Sequence, residues 1–193
     1  MLSEYRDDPI WPIVAEGRPV DEFHTVTGTG QAAQVLADLR AAGLPITTVW
    51  LPMRMAAHWM AITVPENWRD ILPGIDSAEF THRIGATLNR SRSGRKVAQV
   101  FVLDNDIDPA DDDDLAWALA TRVHPTDRQE GWPGSVHPLL NCYTQEERHA
   151  RRGTIVVHDA LQPAPGQGRL RHSSFAQAYP EQVRAKVLAH WAD

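Results

Sequence analysis

The sequence predicts an α/β fold: a single sandwich-like domain in which helices flank a mixed sheet, with an extended N-terminal arm and a final C-terminal helix. Apolar runs typical of strands alternate along the chain with the periodicity of amphipathic helices. The run at residues 97–103 is almost continuously apolar, which is typical of a strand buried on both faces of a sheet. A chain of 193 residues suits one such domain.

The first third of the chain predicts an arm, one helix and two strands. Residues 1–28 hold three prolines and no clean periodicity, so we expect an extended arm. The following helix has an apolar stripe at i, i+3, i+4 and i+7, formed by Ala32, Val35, Leu36 and Leu39. Gly43 and Pro45 end this helix. Residues 46–51 and 58–64 are predicted strands, and a proline closes each of them.

Two helices and a buried strand are predicted next. Asp76 and Glu79 have the spacing of a capping box. The apolar face of the helix that follows is formed by Phe80, Ile84 and Leu88. A basic turn at residues 91–96 leads into the strand at residues 97–103, and a second helix is expected over residues 112–122.

The remainder of the chain predicts less regular structure. Residues 123–150 are rich in Pro, Gly and His and predict a long surface excursion, and residues 154–157 predict a short strand. A flexible loop is expected at residues 162–168, and Pro180 opens the last helix at its first position. We therefore divide the chain into the arm (1–28), the α/β domain (29–175) and the last helix (176–193).

Charge and cysteine content exclude several classes of function. The net charge is −6, but seven aspartates lie within residues 104–114, so the rest of the chain carries 18 acidic and 19 basic residues. No extended basic face favours binding to nucleic acid or to an anionic membrane. Cys142 is the only cysteine, which excludes a disulfide framework. The first residues lack the apolar core of a signal peptide, so we expect a cytoplasmic protein.

The aspartate run predicts helix capping, not metal binding. An EF-hand loop that starts at Asp104 would need Gly at its sixth position and Glu at its twelfth, where this chain has Pro109 and Leu115. Aspartates between a strand and a helix can accept backbone N–H bonds and complement the helix dipole. The nine histidines include no i, i+4 pair and no H-E-x-x-H pattern, so no metal site is predicted.

Residue chemistry alone indicates no self-contained active site. The glycines at positions 28 and 30 precede a helix, but they belong to no phosphate-binding motif. A cysteine nucleophile with a histidine base would require the fold to bring distant residues together. A complete small enzyme with a site around His124, His137 and Cys142 stays an alternative.

Two adjacent segments carry a family resemblance. Residues 102–109 read VLDNDIDP and residues 115–122 read LAWALATR. This pattern resembles the C-terminal domain of the UbiD family of decarboxylases, in which a buried strand enters an acidic D-x-D-I-D turn followed by a helix reading W-A-x-x-T-R. Other segments that are similar to the family, in the same order, are Gly17-Arg18-Pro19, the AAGLP run at 41–45, Leu51-Pro52, His58-Trp59 and the stretch from Phe175 to Trp191.

The resemblance implies that the chain is one part of an enzyme. Family members (de)carboxylate aromatic or α,β-unsaturated acids with a prenylated flavin mononucleotide (FMN) and associated metal ions. In the family, these groups and a Glu–Arg–Glu catalytic set belong to a preceding domain. The resemblance therefore assigns no catalytic, cofactor-binding or metal residue to this chain, and the prenylated FMN with its metal ions is expected on a partner chain. It also implies association through the last helix into a homo- or hetero-oligomer.

The resemblance further implies a substrate-shaping role for one strand end. In the family this strand end faces the flavin and lines the pocket, which corresponds here to Val49, Leu51 and Pro52, with Met53 nearby. A purely structural role in the core is the alternative for Val49 and Leu51. Arg54 is either a partner for a substrate carboxylate or an exposed loop arginine.

Two functions stay open at this point. The first is the small subunit of a UbiD-like (de)carboxylase, which docks on a larger flavin-binding chain and closes one wall of the substrate pocket. The second is a non-catalytic scaffold or assembly domain derived from the same family.

Overall fold

A mixed five-stranded sheet lies at the centre of the computed structural model, which describes residues 22–55, 58–137, 140, 142–164 and 179–191. Its strands are Thr48–Trp50 (β1), Trp59–Val64 (β2), Gln99–Asp104 (β3), Gln129–Ser135 (β4) and Arg152–Asp159 (β5). They lie side by side in the order β1, β2, β3, β5, β4. The three central strands are parallel, whereas β1 and β4 are antiparallel to their neighbours. The predicted α/β fold with a mixed sheet is confirmed.

Helices cover both faces of this sheet. The helices of the described part of the chain are Glu22–Ala41 (α1), Trp68–Ile71 (α2), Ser77–Arg90 (α3), Asp112–Arg122 (α4), Gln145–Ala150 (α5) and Glu181–Ala189 (α6). Helices α1 and α3 pack on one face, and α4 packs on the other. Helix α3 begins as predicted, because Asp76 accepts the backbone N–H of Glu79 at 2.8 Å. None of the described helices has both the length and the apolarity that crossing a membrane requires.

Alternation along the strands divides the core in two, because successive side chains of a strand point to opposite faces. Met60 and Ile62 of β2 belong to the cluster that includes α1 and α3, whereas Ala61 between them belongs to the cluster under α4. The larger cluster also buries the predicted helix faces, namely Val35, Leu39, Phe80, Ile84 and Leu88. Each fully buried aliphatic side chain contributes about 1.5–3 kcal/mol to stability.

Helix α1 begins earlier than the sequence predicts. Its first residue is Glu22, so residues 22–28, predicted as the end of an extended arm, are helical. This segment contains β-branched residues and a glycine. Their weak helix propensities gave no sign in the sequence that α1 begins here. Packing on the core overrides such preferences, and α1 packs through Val35 and Leu39. Residues 1–21 of the predicted arm lie outside the described residues.

Strand β4 occupies part of the region predicted as a surface excursion. It pairs with β5 along its whole length, and α5 follows it before β5 begins. Gly131, Pro133 and Gly134 indicated turns. However, β4 is an edge strand, and the outward side of an edge strand needs no backbone N–H donor, so proline is tolerated there. The prediction of an irregular excursion over residues 123–150 is therefore wrong for these two elements.

The chain divides into two compact units, Met1–Leu161 and Gln162–Asp193. The second unit contains α6, whose N-cap is Pro180, one position before the place that the sequence predicts for this proline. Val183, Leu188 and Trp191 of this unit are exposed. The division into residues 29–175 and 176–193 stays a prediction.

A buried polar network joins the ends of several elements in the first unit. The Asp159 carboxylate, at the end of β5 and 3% exposed, accepts from Arg128 Nη2 at 2.7 Å and from Arg128 Nε at 3.1 Å. The Ser77 hydroxyl of α3 donates to the same carboxylate at 2.8 Å. Arg128 also donates to the carbonyl oxygens of Arg122 at 3.3 Å and Leu161 at 2.8 Å. The network therefore links β5, α3, α4 and the start of β4.

A second buried ion pair holds the acidic turn after β3. Arg122, the last residue of α4, is 5% exposed and donates to both carboxylate oxygens of Asp106, at 2.9 and 2.5 Å. Its guanidinium lies 5.2 Å from the centre of the Trp117 ring, within cation–π range. The acidic turn and the W-A-x-x-T-R helix of the family pattern are thus joined by direct contacts.

Replacing Arg128 with alanine is expected to lower the free energy of unfolding by about 3–5 kcal/mol, because the Asp159 carboxylate stays buried without its cation. Urea denaturation at pH 7 measures this loss. Arg83→Ala is the control, since it removes only an exposed ion pair with Glu79 and should cost at most about 0.5 kcal/mol. A loss below about 1 kcal/mol for Arg128→Ala would contradict the role given to the network.

His158 is a buried histidine on the sheet face that α4 covers. It is 8% exposed, and its ring stacks on Phe101 with 4.7 Å between the ring centres. Neither ring nitrogen has a hydrogen-bond partner in the part of the chain that is described. Burial lowers the pKa of His158 below its ordinary value of 6.5, because the charged ring would lose its hydration.

The lowered pKa of His158 predicts a loss of stability in acid. Because the pKa is lower in the folded state than in the unfolded state, the contribution of the neutral ring is fully present above the unfolded pKa, about 6.5, and is lost as the pH falls through the folded pKa. His158→Leu should therefore reduce the drop in melting temperature between pH 7.5 and pH 5. Calorimetry of both proteins across this range measures the effect, and parallel curves would disprove it.

Candidate functional site

The sequence-predicted substrate residues lie at the β1 edge of the sheet. Val49, Leu51 and Pro52 are buried, and Met53 begins a 3₁₀ turn that ends at residue 55. Val49 and Leu51 belong to the core cluster, but both also line a cavity of about 320 Å³ between β1 and α1, which we call the apolar cavity. Its other lining residues are Gly28, Thr29, Ala32, Ala33, Leu36, Thr47, Thr48 and Trp50.

Arg54 and the aspartates near it are engaged in local contacts. Arg54 Nε lies 2.8 Å from a carboxylate oxygen of Asp112, in the first turn of α4. Asp111 is the N-cap of α4 and accepts the backbone N–H groups of Asp113 at 2.9 Å and Asp114 at 3.3 Å. The predicted capping role of the aspartate run is confirmed. The described residues include no group of three His, Cys, Asp or Glu side chains suited to a metal ion.

The residues of the self-contained alternative have other roles or an unsuitable charge state. His124 Nδ1 accepts the backbone N–H of Asp127 at 2.8 Å and so stabilises the turn before β4. The Cys142 side chain is exposed overall, but partial desolvation and the Glu147 carboxylate raise the pKa of its thiol. A raised pKa keeps the sulfur protonated at neutral pH, which is opposite to what a cysteine nucleophile needs.

A second cavity, of about 410 Å³, is lined mainly by cations, and we call it the cationic pocket. Its lining residues are Arg92, Arg95, Lys96, Ser135, Val136, His137 and Arg151. They come from three separate places in the chain: the connection from α3 to β3, the end of β4 and the C-cap of α5. None of the described lining residues is acidic. The pocket therefore has the chemistry of an anion site.

Hydrogen bonds anchor the basic turn that supplies three of these cations. The Ser91 hydroxyl accepts the backbone N–H of Gly94 at 3.1 Å and donates to Asp38 of α1 at 2.6 Å. The Gln31 side chain, also in α1, donates to the carbonyl oxygen of Ser93 at 3.0 Å. Helix α1 thus holds the turn from one side, so its backbone is in place before any ligand binds.

Arg95 is positioned by its own contacts. Its Nη2 donates to the side-chain oxygen of Asn89 and, at 3.2 Å, to the carbonyl oxygen of Pro133. The guanidinium crosses β4 at Gly134, where a Cβ would overlap it. Gly134 is therefore the residue that lets the arginine cross the strand, which explains a glycine in the middle of this sheet edge.

No described acid forms an ion pair with the cations of the pocket. Among the described residues, no carboxylate lies within 4 Å of the charged nitrogens of Arg92, Lys96 or Arg151. The pKa of His137 is lowered by burial first, and then by the charges of Lys96, Arg151 and His58. A neutral imidazole can act as hydrogen-bond donor or acceptor beside the permanent cations.

Sequence reasoning identified the basic turn but missed the pocket. Three cations within five residues were visible at residues 92–96, and they indicated only a basic turn. His137 and Arg151 join them through the pairing of β4 with β5, which the sequence did not predict. Arg151 has a φ of 52°, in the left-handed region that is unusual for a non-glycine residue, and this conformation was not predictable either.

Comparison with known proteins identifies the family. The profile described as the 3-octaprenyl-4-hydroxybenzoate carboxy-lyase C-terminal domain of UbiD matches residues 24–160, well over half of the chain. This chain belongs to the UbiD family. The resemblance stated from the sequence is thereby confirmed.

Two UbiD-family relatives are similar over nearly the whole chain. The pyrrole-2-carboxylic acid decarboxylase of Pseudomonas aeruginosa is 34% identical over 192 residues, which cover 98% of this chain and 38% of the relative. Ferulic acid decarboxylase 1 of Saccharomyces cerevisiae is 29% identical over 191 residues, covering 97% and 38% respectively. The chain therefore spans less than two fifths of the length of these relatives.

Solved structures of the UbiD class share the fold. The vanillic acid decarboxylase ShVdcCD of Sedimentibacter hydroxybenzoicus matches with a TM-score of 0.64 and 17% identity, over 91% of this chain and 35% of that chain. The UbiD-class enzyme HmfF of Pelotomaculum thermopropionicum, in complex with FMN, matches with a TM-score of 0.59 and 17% identity, over 84% and 34%. An evolved dimeric HmfF in complex with prenylated FMN matches with a TM-score of 0.51, 17% identity and 83% and 31% coverage.

Proposed function

We propose that this chain is the small subunit of a cytoplasmic UbiD-class (de)carboxylase, in which a separate larger chain holds the prenylated FMN and its metal ions. The chain docks on that partner and closes one wall of the substrate pocket. Its membership in the UbiD family supports this assignment. The existence of a vanillic acid decarboxylase named for two components, ShVdcCD, supports a two-chain assembly.

The cationic pocket is the observation that carries the proposal. Both relatives are named for carboxylic acid substrates, and FMN carries a phosphate. A cavity with four cations and no acidic residue among its described lining residues fits an anionic group of either kind. When bound, prenylated FMN supplies the electrophilic centre that accepts the electron pair released by the breaking C–C bond.

The residues of this chain bind and orient the acid. Arg95, already held by Pro133 and Asn89, presents a fixed guanidinium to a carboxylate, and Lys96 adds a point charge beside it. His137 offers a neutral hydrogen-bonding group at the same wall. Docking of this wall on the flavin-binding chain excludes water, which strengthens each of these electrostatic contacts.

The predicted contacts of Val49, Leu51, Pro52 and Met53 with substrate stay part of the proposal. The apolar cavity at Val49 and Leu51 is of a size that receives a small hydrocarbon or ring. In the proposed enzyme, this cavity forms an apolar contact surface separate from the cationic pocket, because β1 and β4 lie at opposite edges of the sheet.

A scaffold role is the second candidate, favoured by the C-terminal helix. Val183, Leu188 and Trp191 are exposed, and Trp191 has 79% of its surface accessible. Large exposed apolar side chains on one short helix and directly after it are typical of a surface that another protein covers. In the proposed enzyme the same helix would assemble the homo- or hetero-oligomer.

Co-purification tests the proposed assembly. The chain, expressed with its natural neighbours and a carboxy-terminal tag, should elute with a larger chain that carries flavin absorbance, and light scattering gives the stoichiometry. The complex should release CO₂ from an aromatic or α,β-unsaturated acid. In the Lys96→Gln complex, kcat/KM should fall by about tenfold or more, because one charge contact to the carboxylate is lost. A chain that stays monomeric and partnerless in its native cells would contradict the proposal.

A bulky change at the apolar cavity separates the enzyme subunit from the scaffold. Val49→Leu should reduce kcat/KM for large-ring acids more than for small ones, because the added methylene enters the cavity. Val183→Leu on the exposed helix is the control and should leave the ratio unchanged. Melting temperatures must accompany these data, since overpacking of a core position costs about 1–3 kcal/mol. An unchanged ratio in a folded Val49→Leu complex would favour a purely structural role for this residue.

A further inference from the structure

The backbone of β4 is bonded to β5 on one side only, and the two ends of the ladder show which residues face β5. The Asp159 N–H donates to the Arg128 carbonyl at 2.8 Å, and the Val136 N–H donates to the Arg151 carbonyl at 3.1 Å. Bonded and non-bonded pairs alternate along an antiparallel ladder, so the even-numbered residues of β4 bond to β5. The odd-numbered residues therefore point their N–H and C=O groups outward, to the free side of the sheet.

This free side is the longer of the two edges of the sheet. The outward residues are Gln129, Gly131, Pro133 and Ser135, and all four are exposed. Strand β4 has seven residues, whereas β1, at the opposite edge, has three. An exposed edge of this length is a template for pairing with another strand. A second copy of the chain presents the same edge, so two copies could pair antiparallel about a two-fold axis.

Pro133 lies in the middle of any such pairing. The register that pairs the whole of β4 places Gln129 opposite Ser135 of the second copy, and Gly131 opposite Pro133. A pair that faces in this way normally exchanges two hydrogen bonds, but proline has no N–H to donate. Registers that avoid Pro133 pair at most residues 129–131. The carbonyl of Pro133 is then the only group left at the centre of the edge for a second strand.

Arg95 occupies that carbonyl. Its Nη2 donates to the Pro133 oxygen at 3.2 Å and also to the side-chain oxygen of Asn89. The guanidinium reaches this outward oxygen across Gly134, where a Cβ would overlap it. The centre of the edge thus has no free donor and no free acceptor. A second strand would also have to displace the cation or remove its water.

We infer that Pro133 and Arg95 together keep the β4 edge from pairing with a second copy of this chain. Proline removes the donor and arginine occupies the acceptor at the same point of the strand. Each of them closes the centre of the edge by itself, so that pairing requires both to be changed. The inference is independent of the proposed function, because it concerns the backbone of β4 and needs no flavin and no partner chain.

Hydrogen exchange of backbone amides in the full chain, followed by NMR, tests the inference. In the double variant Arg95→Gln, Pro133→Thr, the outward amides of Gln129, Gly131 and Ser135 should exchange about tenfold or more slowly at high than at low protein concentration, because pairing protects them. In the unaltered chain and in each single variant, their exchange should not depend on concentration. Association through another surface, such as the C-terminal helix, would leave these amides fast.

A matched control separates the position of Arg95 from its charge. The double variant Arg92→Gln, Pro133→Thr removes one charge from the same basic turn and leaves the bond from Arg95 to residue 133 in place. Its outward amides should exchange as in the unaltered chain. The same concentration-dependent protection in this control would show a general effect of charge and overturn the inference.

A third substitution should reverse the effect. Adding Ser135→Pro to the variant with both Arg95 and Pro133 changed removes another outward donor without touching the ladder to β5, so exchange at Gln129 and Gly131 should again be fast. Circular dichroism and melting temperature establish that each variant is folded. If the first double variant is unfolded, Arg95→Met with Pro133→Val removes the same two groups.

Four results would overturn the inference. A folded double variant whose outward amides exchange independently of concentration shows that the edge does not pair when it is opened. Amides that are already protected by association in the unaltered chain show that the edge was never closed. Protection in a single variant equal to that in the double variant shows that the two residues do not act together. Protection that survives Ser135→Pro shows that the edge is not the contact.

Discussion

The ion pair between Arg128 and Asp159 is the contact on which the rest of the sheet edge depends. The residues also form the first backbone link between β4 and β5, since the Asp159 N–H donates to the Arg128 carbonyl at 2.8 Å. Arg128 takes a left-handed conformation there, with a φ of 53°, which redirects the chain into β4. This start fixes the register, because a slip by one residue would turn every β4 side chain to the other face. The register in turn places Ser135 opposite Arg152, and so brings the end of β4 beside Arg151.

Close packing holds the same edge at a second place. Trp132 of β4 lies against Gly85 of α3, where a Cβ would overlap the indole ring. The helix and the edge strand approach closely only because position 85 is glycine. Together with the passage of Arg95 over Gly134, this contact ties β4 to α3 and to the basic turn that follows it. The pocket is thus built on packed elements, although all its charges come from turns and strand ends.

The sequence predicted the parts of this fold that depend on local patterns. The apolar runs of β2 and β3, the cap at Asp76 and the capping aspartates each have a signal within a few residues, and the structure contains all of them. Strand β4 was missed because its Gly and Pro residues indicate turns and are unfavourable in a central strand. An edge strand accepts them. The cationic pocket was missed for a related reason, since its two sides lie more than 50 residues apart and meet only through that strand. The start of α1 was missed because packing outweighed weak propensity.

Local charge, and not net charge, decides what this acidic chain can bind. The aspartates that make the chain acidic are largely occupied: Asp106 holds Arg122, and Asp111 and Asp114 accept backbone N–H groups around the start of α4. A paired charge contributes little to the electrostatic potential at a distant site. Salt screens it further when the separation exceeds the Debye length of about 8–10 Å. The cations of the pocket have no such partners among the described acids, and their field reaches His137, whose pKa is lowered partly by Lys96 and Arg151. An anionic acid approaching this chain therefore meets attraction at one edge of the sheet even though the protein as a whole repels it.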